Sequence, residues 1–306
     1  MNKIAVIVGS VGQDGTLLTS KLESLNYSVV GIKRGDIDLM SSEKVTELIL
    51  DVQPDEIYYL AAYHHSSEDK VGDDIEVFKR SIDVHALSVI NFLDCILKHK
   101  NTCRFFYASS CLIFRGSDNK ILTEGSHYSL ENYYAISKIS GGSLVKYYRD
   151  KKNIFACTGF LFNHESSLRT ENYLSKKITS YVAQLRESSK NKLSLGSLDM
   201  CVDWGYAPDY VEAFWRILQT NSPDDYIVAT GVKSSIKDFV KIAFEHVDLD
   251  YRKYVTVDPN ILIRKNDTRI GSAKKLMKET GWKPSISFEE MVKKLVDIEI
   301  KKFKST

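Results

Sequence analysis

A tyrosine and a lysine four residues apart, Tyr134 and Lys138, form the arrangement in this chain best suited to acid–base chemistry. On a helix, residues i and i+4 share one face, so the ammonium group would lie close to the phenol. A phenol titrates near ~10, and a neighbouring cation favours its charged form, which predicts proton exchange with a substrate hydroxyl or carbonyl near neutral pH. Ser109 and Ser110 lie about two dozen residues upstream, where a hydroxyl could bind the same oxygen. The spacing by itself also fits a solvated helix face, because Tyr and Lys are common in this chain.

A glycine-rich turn follows the first predicted strand. Residues 3–8 form a short apolar run typical of a buried parallel strand, and a helix is predicted over residues 16–25. A turn of this kind lets backbone N–H groups and the helix dipole approach a pyrophosphate, which favours a dinucleotide over a purely structural turn. The predicted cofactor contacts in this turn are Gly9, Gly12, Gln13, Asp14 and Gly15.

The second predicted strand, residues 27–32, ends in two cations, Lys33 and Arg34. An NAD-binding unit usually carries an acidic residue there for the ribose hydroxyls, whereas cations suit a 2′-phosphate. We therefore expect NADP, with NAD as the alternative. Residues 36–39 are predicted to form a vestigial third strand, with Asp38 and Leu39 beside the cofactor.

A fourth strand is predicted over residues 55–60, and it closes with Ala61 and Ala62, small residues that let the cofactor pass. The paired His64 and His65 follow soon after. No third ligand has a suitable spacing, so we expect a loop lining the cofactor cleft and no metal site.

Strands and helices alternate along the first half of the chain. Further helices are predicted over residues 43–50 and 75–98, and the helix that carries Tyr134 and Lys138 is predicted to continue to about residue 149. Further strands are predicted over residues 104–108 and 154–160. This alternation predicts an α/β fold, a Rossmann-type doubly wound parallel sheet with right-handed crossovers. Ligands bind at the carboxyl ends of the strands in such sheets, which is where the two serines fall. Amphipathic helices over residues 209–219 and 288–300 should pack against the domain.

Composition excludes several classes of protein. A chain of 306 residues with a formal charge of +2 gives no reason to expect a nucleic acid partner. No apolar run approaches the ~18 residues that span a bilayer, so no membrane association is expected. Five Cys without metal-ligand spacing, and no signal peptide, favour a cytoplasmic location.

Beyond these patterns, the chain resembles the extended short-chain dehydrogenase/reductases, and within them the GDP-mannose 4,6-dehydratase group. The resemblance runs nearly end to end, and its most specific stretch is Leu161-Phe-Asn-His-Glu-Ser166. The other matching stretches are Gly9-Ser-Val-Gly-Gln-Asp-Gly15, Gly31-Ile-Lys-Arg34, Glu171 through Ile178, Leu195-Gly196, Asp203 through Tyr210, Ala229-Thr-Gly231 and Gly281-Trp-Lys-Pro284.

The resemblance implies a domain division and a site. Residues 1–162, with returning elements near 201–231, would form the Rossmann domain, and residues 163–306 a smaller C-terminal α/β region that binds a nucleotide sugar. Tyr134, Lys138, Leu161 and His164 would also contact the cofactor, although His164 equally suits a core position. The implied substrate contacts are Ser109, Cys111, Asn163, Glu171, Lys177, Leu195, Gly196 and Arg264. Relatives form dimers or tetramers through helices near 75–98 and 131–149, so a homodimer or homotetramer is expected.

Departures from the family pattern decide between reactions. In the family a Glu two positions beyond the strand-end hydroxyl residue deprotonates the sugar at C5, and here that position holds Leu112. Val202 replaces an Arg that helps to bind the nucleotide, and the segment after Arg34 is some twenty residues shorter than in those enzymes. Shifting the alignment by one residue would place Ser109 with Tyr134 and Lys138 and would place Cys111 in the acid–base position of the GDP-fucose synthases, but their partner His is missing.

Ser110, Tyr134 and Lys138 remain, and they suffice for one reversible hydride transfer at a sugar carbon. The leading hypothesis is a 4-keto reductase of a GDP-linked 4-keto-6-deoxy hexose or heptose. The alternatives are a 4,6-dehydratase that uses Cys111 or a nearby carboxylate as base, and a nucleotide-sugar-binding protein without turnover.

Overall fold

The computed structural model describes residues 2–63, 74–116, 120–185, 191–261 and 267–305. Its central feature is a six-stranded sheet in the order β2-β1-β3-β4-β6-β11, in which every neighbouring pair is parallel. These strands are β1 Ile4–Val8, β2 Ser28–Ile32, β3 Glu56–Tyr59, β4 Arg104–Ser110, β6 Ala156–Leu161 and β11 Asp225–Val228. The doubly wound sheet predicted from the sequence is confirmed.

Helices cover both faces of this sheet, which explains why its strands are continuous apolar runs. The helices are α1 Gln13–Ser24, α2 Ser42–Val52, α3 Asp74–Ile82, α4 Ser88–His99, α5 Tyr133–Lys152, α6 Leu174–Gln184, α7 Ala207–Leu218, α8 Ile236–Glu245, α9 Lys274–Thr280 and α10 Phe288–Ser305. Helices α1 and α7 pack on one face, and α2, α4 and α5 pack on the other.

The second half of the chain adds short strand pairs and a separate apolar cluster. The remaining strands are β5 Ile121–Leu122, β7 Asn163–Glu165, β8 Leu193–Leu195, β9 Cys201–Val202, β10 Trp204–Tyr206, β12 Ser234–Ser235, β13 Val255–Val257 and β14 Ile270–Gly271. Helices α6, α8 and α10 share a core in which Trp204 stacks on Phe288 with ring centroids 5.6 Å apart. Strand β11 returns to the main sheet beside β6, so the two halves are interleaved. The domain limits at residue 162 stay a prediction.

One predicted element is wrong. Residues 36–39 form no strand, because Gly35 adopts a φ of +96° and the Asp36 carboxylate accepts the Lys33 N–H at 2.9 Å, which closes a turn. The helix predicted over residues 75–98 is confirmed as the contiguous helical stretch 74–99, which contains a π-helical segment, Asp83–Leu87, between α3 and α4. The hydroxyl groups of Tyr59 and Tyr107 donate to the carbonyls of Val84 and His85 in that segment, at 2.7 and 2.9 Å.

Within the described residues, no helix is long and apolar enough to cross a membrane. All five cysteines are free thiols, and no group of acidic, His and Cys side chains in the described part of the chain could bind a metal ion. His64 and His65 lie outside the described residues.

Close packing at Gly141 joins α5 to the π-helical segment. A Cβ at this position would lie 2.0 Å from the carbonyl oxygen of His85 and 2.4 Å from the hydroxyl of Tyr107. Gly141→Ala is therefore expected to lower the free energy of unfolding by about 1–3 kcal/mol, the usual cost of overpacking. Urea denaturation of both proteins measures this difference.

Gly142→Ala is the matched control on the next residue of α5. Its Cβ would meet nothing closer than Thr158, at 4.0 Å. Since Ala has the higher helix propensity, this variant should be neutral or more stable by up to about 1 kcal/mol. Equal destabilisation by both substitutions would contradict the packing argument.

Candidate active site

The carboxyl ends of β1, β3 and β4 meet at one edge of the sheet, and the chemistry-bearing residues lie there. Strand order reverses between β1 and β3, the position at which doubly wound sheets bind ligands. Gly9 follows β1 with a φ of +94°, and a Cβ on it would approach the Ala61 backbone nitrogen to 2.9 Å. Only glycine fits at position 9, where the chain passes this close to the Ala61 backbone.

The glycine turn has the shape of an anion cradle. Helix α1 begins at Gln13, earlier than predicted, with Gly12 as an N-cap that makes no side-chain hydrogen bond. A Cβ at Gly15 would lie 2.3 Å from the carbonyl oxygen of Gly9, so no larger residue fits there. The first N–H groups of α1 therefore remain available for a pyrophosphate, as the sequence predicts.

Lys33 and Arg34 lie at the end of β2 with exposed side chains. Neither forms an ion pair with another described residue, which fits a role in binding a 2′-phosphate. Asp38 is exposed and accepts a hydrogen bond from the Met40 N–H at 3.0 Å, while Leu39 packs partly into the core beside α2 and α4. Ala61 and the exposed Ala62 follow β3, and their contact with cofactor stays a prediction.

Tyr134 and Ser110 are brought together as predicted. The Ser110 hydroxyl lies beside the phenol of Tyr134 and accepts the Leu112 N–H at 3.2 Å. Burial raises the pKa of Tyr134 above its usual value of 10, and the neighbouring Ser110 hydroxyl opposes that change only in part. The phenol is therefore protonated at neutral pH.

Lys138 is almost fully buried and donates a hydrogen bond to the carbonyl oxygen of Ala108 at 2.8 Å. Its ammonium nitrogen lies 5.9 Å from the centroid of the Tyr134 ring. Burial lowers the pKa of Lys138 from 10.5 to about 7. The expectation that this lysine favours the ionised phenol is thus wrong for the protein alone, because loss of solvent penalises the charged forms of both groups.

Ser109 and Ser110 point to different sides of β4, since strand residues alternate. The Ser109 hydroxyl is buried without a hydrogen-bond partner among the described residues. Cys111 is buried, its sulfur lies 4.0 Å from Oδ1 of Asn163, and burial raises its pKa to about 11. The structure therefore supports the alignment that assigns Ser110, rather than Ser109, to Tyr134.

His164 joins strand β7 to the start of α1. Its Nε2 lies 3.0 Å from both carboxylate oxygens of Asp14, and its Nδ1 lies 2.7 Å from the carbonyl oxygen of Phe162. The ring also stacks on Tyr210 with centroids 4.4 Å apart. Both nitrogens are thus engaged with protein, which favours the core role that the sequence leaves open over a direct cofactor contact.

Gln13 strengthens the same junction. Its side-chain amide donates to the carbonyl oxygen of His164 at 3.2 Å and accepts from the Ser166 hydroxyl at 2.7 Å. Gln13 and Asp14 therefore attach the glycine turn to the segment that follows β6, and Leu161, the last residue of β6, is buried. Their side chains stabilise the cradle, whereas their backbone N–H groups at the helix start remain suited to an anion.

Arg169 is a site residue that the sequence reasoning missed. It donates to the His164 carbonyl oxygen at 2.7 Å, pairs with Glu165 at 3.2 Å, and lies over the Tyr173 ring at 4.4 Å. Its positive charge lowers the pKa of both Asp14 and Tyr134, so it lies near both. The sequence signal that could have identified it is a cation three residues after the most specific motif, which ends at Ser166.

The predicted substrate contacts are divided. Asn163 is exposed beside Cys111, which suits a ligand contact. The Glu171 carboxylate accepts from the Ser180 hydroxyl at 3.0 Å, so its side chain is held on α6, where Lys177 is partly buried. The predicted contact between the Leu195 side chain and the substrate is wrong, because this side chain is fully buried in the apolar core.

The last two predicted substrate contacts are Gly196 and Arg264, and Val202 stands where the family pattern has an Arg. Gly196 follows Leu195 and is partly exposed. Arg264 lies outside the described residues. Val202 packs partly buried against the core of α6, α8 and α10, where a longer cation would need to displace that packing.

The ion pair of Asp14 generates a stability prediction. Burial alone would raise the pKa of the Asp14 carboxyl, but the charge and hydrogen bond of His164, the charge of Arg169 and the hydrogen bond of Gln13 together lower it from 3.8 to about 2. Asp14→Asn should therefore lower the free energy of unfolding by about 2 kcal/mol at pH 5. A lowered pKa contributes fully above pH 3.8 and is lost as the pH falls through about 2, so the loss should be full at pH 5 and smaller at pH 3.

Urea denaturation at both pH values measures this loss. Asp51→Asn, on the exposed side of α2, is the matched control and should leave stability within about 0.5 kcal/mol. An Asp14→Asn protein as stable as the parent would show that the ion pair contributes nothing.

Comparison with known proteins identifies the family. A family model for GDP-mannose 4,6 dehydratase matches residues 34–295. The GDP-mannose 4,6 dehydratase of Drosophila melanogaster is 33% identical over 347 aligned positions, which cover 98% of this chain and 86% of the relative. GDP-mannose 4,6 dehydratase 2 of Arabidopsis thaliana is 32% identical over 328 positions, covering 96% and 86%.

Solved structures agree on the fold. The structure of RMD from Pseudomonas aeruginosa complexed with NADPH superposes with a TM-score of 0.84 at 19% identity, covering 98% of this chain and 100% of that one. The dTDP-glucose 4,6-dehydratase of Bacillus anthracis in complex with NAD gives a TM-score of 0.82 at 15% identity, covering 99% and 98%. Given the family match and the two relatives, this chain belongs to the GDP-mannose 4,6-dehydratase family of nucleotide-sugar-modifying short-chain dehydrogenase/reductases.

Proposed function

We propose that this protein is a 4-keto reductase that acts on a GDP-linked 4-keto-6-deoxy hexose or heptose. The observation that carries the proposal is a buried, protonated phenol beside the Ser110 hydroxyl, with Leu112 where a dehydratase of the family has its base. Such a site contains a proton donor for a carbonyl oxygen but no carboxylate at the C5 position.

The reducing step uses three residues of the chain. NADPH, when bound, supplies the hydride for the carbonyl carbon. Tyr134 donates its phenolic proton to the carbonyl oxygen, and Ser110 donates a hydrogen bond to the same oxygen as negative charge develops. Lys138, with a pKa lowered to about 7, is able to return a proton to the site at neutral pH.

The surroundings of Tyr134 support reduction over dehydration. The ionisable groups that most affect its pKa are Cys111, Tyr173 and Arg169, and none is a carboxylate. Burial raises the pKa of the Cys111 thiol to about 11, so the thiolate needed for C5 deprotonation is scarce at neutral pH. Leu112 follows Ser110 in a 3₁₀ turn and has no group that moves a proton.

NADP(H) is the cofactor that fits these residues. The glycine turn leaves no space for a Cβ at Gly15, and the first N–H groups of α1 suit a pyrophosphate. The exposed Lys33 and Arg34 supply the charge that a 2′-phosphate requires. The solved structure of RMD, which shares the fold, contains NADPH.

A 4,6-dehydratase is the second candidate, and the names of the similar relatives favour it. This activity would need a base other than residue 112. Among the described residues nearby, Glu165 is buried and already bound to Arg169 and the Ser175 hydroxyl, which leaves it poorly suited to accept a proton.

Assembly and location are further parts of the proposal. Apolar side chains of Leu87, Tyr133 and Tyr147 are exposed on the π-helical segment and α5, which supports a homodimer or homotetramer through this face. Five free cysteines suit a reducing cytoplasm.

The proposed reaction is tested by two incubations of the purified protein. With GDP-4-keto-6-deoxymannose and NADPH we expect the absorbance of the reduced nicotinamide to fall, while GDP-mannose alone should give no 4-keto product. Tyr134→Phe should lower the reductase rate at least about 100-fold, because general acid catalysis contributes that much. A heptose substrate is the next trial if the hexose is inert.

A 4-keto product from GDP-mannose, without net cofactor change, would refute the reductase in favour of the dehydratase. Leu112→Glu sharpens this choice: under the reductase hypothesis the added carboxylate should create or raise dehydration. If dehydration is already fast with Leu112, the argument from the missing Glu is wrong.

The preference for NADPH over NADH depends on the two cations after β2. Replacing Lys33 and Arg34 together by Ser should weaken NADPH binding at least about 10-fold, with less than a twofold change for NADH, because only the former carries a 2′-phosphate. Fluorescence titration of both cofactors measures the two affinities. An equal loss for both would show that these residues do not contact the 2′-phosphate; Lys44→Ser, an exposed cation on α2, is the control.

A further inference from the structure

His85 is a buried side chain that the proposed reaction does not use. It lies on the π-helical segment Asp83–Leu87 and has no solvent exposure, so its ring cannot touch a sugar. A π-helical turn inserted in an α-helix is costly and occurs frequently at functional sites. The ring nevertheless reaches both the cofactor edge of the sheet and the helix that carries Tyr134.

The protonation of the His85 ring follows from its neighbours. The backbone N–H of Tyr63 points to Nε2 at 2.9 Å, and since an N–H can only donate, Nε2 must be the acceptor. Nδ1 therefore carries the proton and donates to the Ser137 hydroxyl at 2.8 Å. Ser137 in turn donates to the backbone carbonyl oxygen of Tyr134 at 2.9 Å.

The same ring also contacts the Tyr134 side chain. The two ring centroids are 5.2 Å apart and the planes are nearly perpendicular, at 86°, the edge-to-face arrangement that aromatic pairs favour. His85 thus acts on Tyr134 twice, through Ser137 on the backbone and through its ring on the phenol. A neutral imidazole with both nitrogens engaged has one orientation, so it restricts the rotamers open to Tyr134.

The backbone around His85 is equally constrained. Its carbonyl oxygen accepts from the Tyr107 hydroxyl on β4, and Gly141 of α5 leaves no room for a Cβ against it. Sheet, π-helical segment and α5 are therefore locked together at this residue.

We propose that His85 is a positioning residue for Tyr134 and links residues 61–63, after β3, to the orientation of the phenol. Tyr63, which donates to the His85 ring, directly follows Ala61 and Ala62, where the cofactor is expected to pass. The placement of residues 61–63 therefore sets the placement of the proton donor. The inference rests on the proposed role of Tyr134 as acid.

The first experiment measures turnover in a double-mutant cycle. His85→Leu should lower kcat about 10- to 100-fold, since small misplacement of a catalytic group costs this much, and should change KM less than threefold. In a Tyr134→Phe background the same substitution should change the residual single-turnover rate less than twofold, because His85 acts through the phenol. An equal fold loss in both backgrounds, or no loss of kcat, would overturn the proposal.

His85→Phe is the second variant in case His85→Leu fails to fold. It keeps an aromatic edge and removes both nitrogens, so it should retain more kcat than the leucine. Ser88→Ala is the matched control: Ser88 is buried at the end of the π-helical segment and contacts the Tyr59 hydroxyl, not Tyr134. It should lower Tm while leaving kcat unchanged.

A second measurement needs no substrate. With 3-fluorotyrosine incorporated at position 134 alone, the ¹⁹F spectrum should show one narrow line, and His85→Leu or His85→Phe should split or broaden it. An unchanged spectrum would overturn the positioning role. If the parent protein turns over no sugar yet the line responds to His85, the proposed function fails while the positioning of the Tyr134 phenol by His85 holds.

Discussion

The hydrogen bond between the Lys138 ammonium and the Ala108 carbonyl oxygen is the contact on which the site depends. It joins the fifth helix to the end of the fourth sheet strand, where no solvent stabilises the charge. Burial of a lysine is costly, and the pKa of Lys138 falls to about 7 as a result. The buried lysine fixes the distance between Tyr134 and Ser110, because Tyr134 lies on α5 and Ser110 lies on β4, the two elements that the lysine connects.

A second set of contacts holds the remaining walls of the cleft to this pair. Asp203 is buried and accepts hydrogen bonds from Thr230, Gly231 and Gly271, which all lie in the second half of the chain. The pair of Asp14 and His164 joins the glycine turn to the segment after β6. Asp203 and His164 are buried and hydrogen-bonded, and buried polar networks of this kind define one geometry where apolar packing would tolerate several.

The chain combines the fold of its family with Leu112 at the position where the family pattern has a base. The glycine turn, the strand-end serine and the Tyr–Lys pair are all present, whereas the residue after Cys111 is an aliphatic Leu112. The raised pKa of Tyr134 fits a proton donor better than a base. The proposed reduction therefore rests on both residue type and environment, since Leu112 cannot move a proton and burial keeps the Tyr134 phenol protonated.

Much of the fold could be predicted from the sequence, because it depends on local patterns. Apolar runs indicate strands, glycines between a strand and a helix indicate a turn, and an i, i+4 pair indicates one face of a helix. The parallel central sheet and the placement of Ser110 beside Tyr134 follow from that pattern and are found in the structure. The failed strand over residues 36–39 had the right composition, but Gly35 and Asp36 close a turn that composition does not reveal.

By itself, then, the sequence determined the doubly wound sheet, the position of the cofactor turn and the residues able to move a proton. Only the tertiary structure decided their chemical state: the depressed pKa of Lys138, the raised pKa of Tyr134, the His164–Asp14 pair and the place of His85 behind the phenol. The physical reason is that desolvation and long-range hydrogen bonds arise between segments far apart in the chain, and no local spacing encodes them.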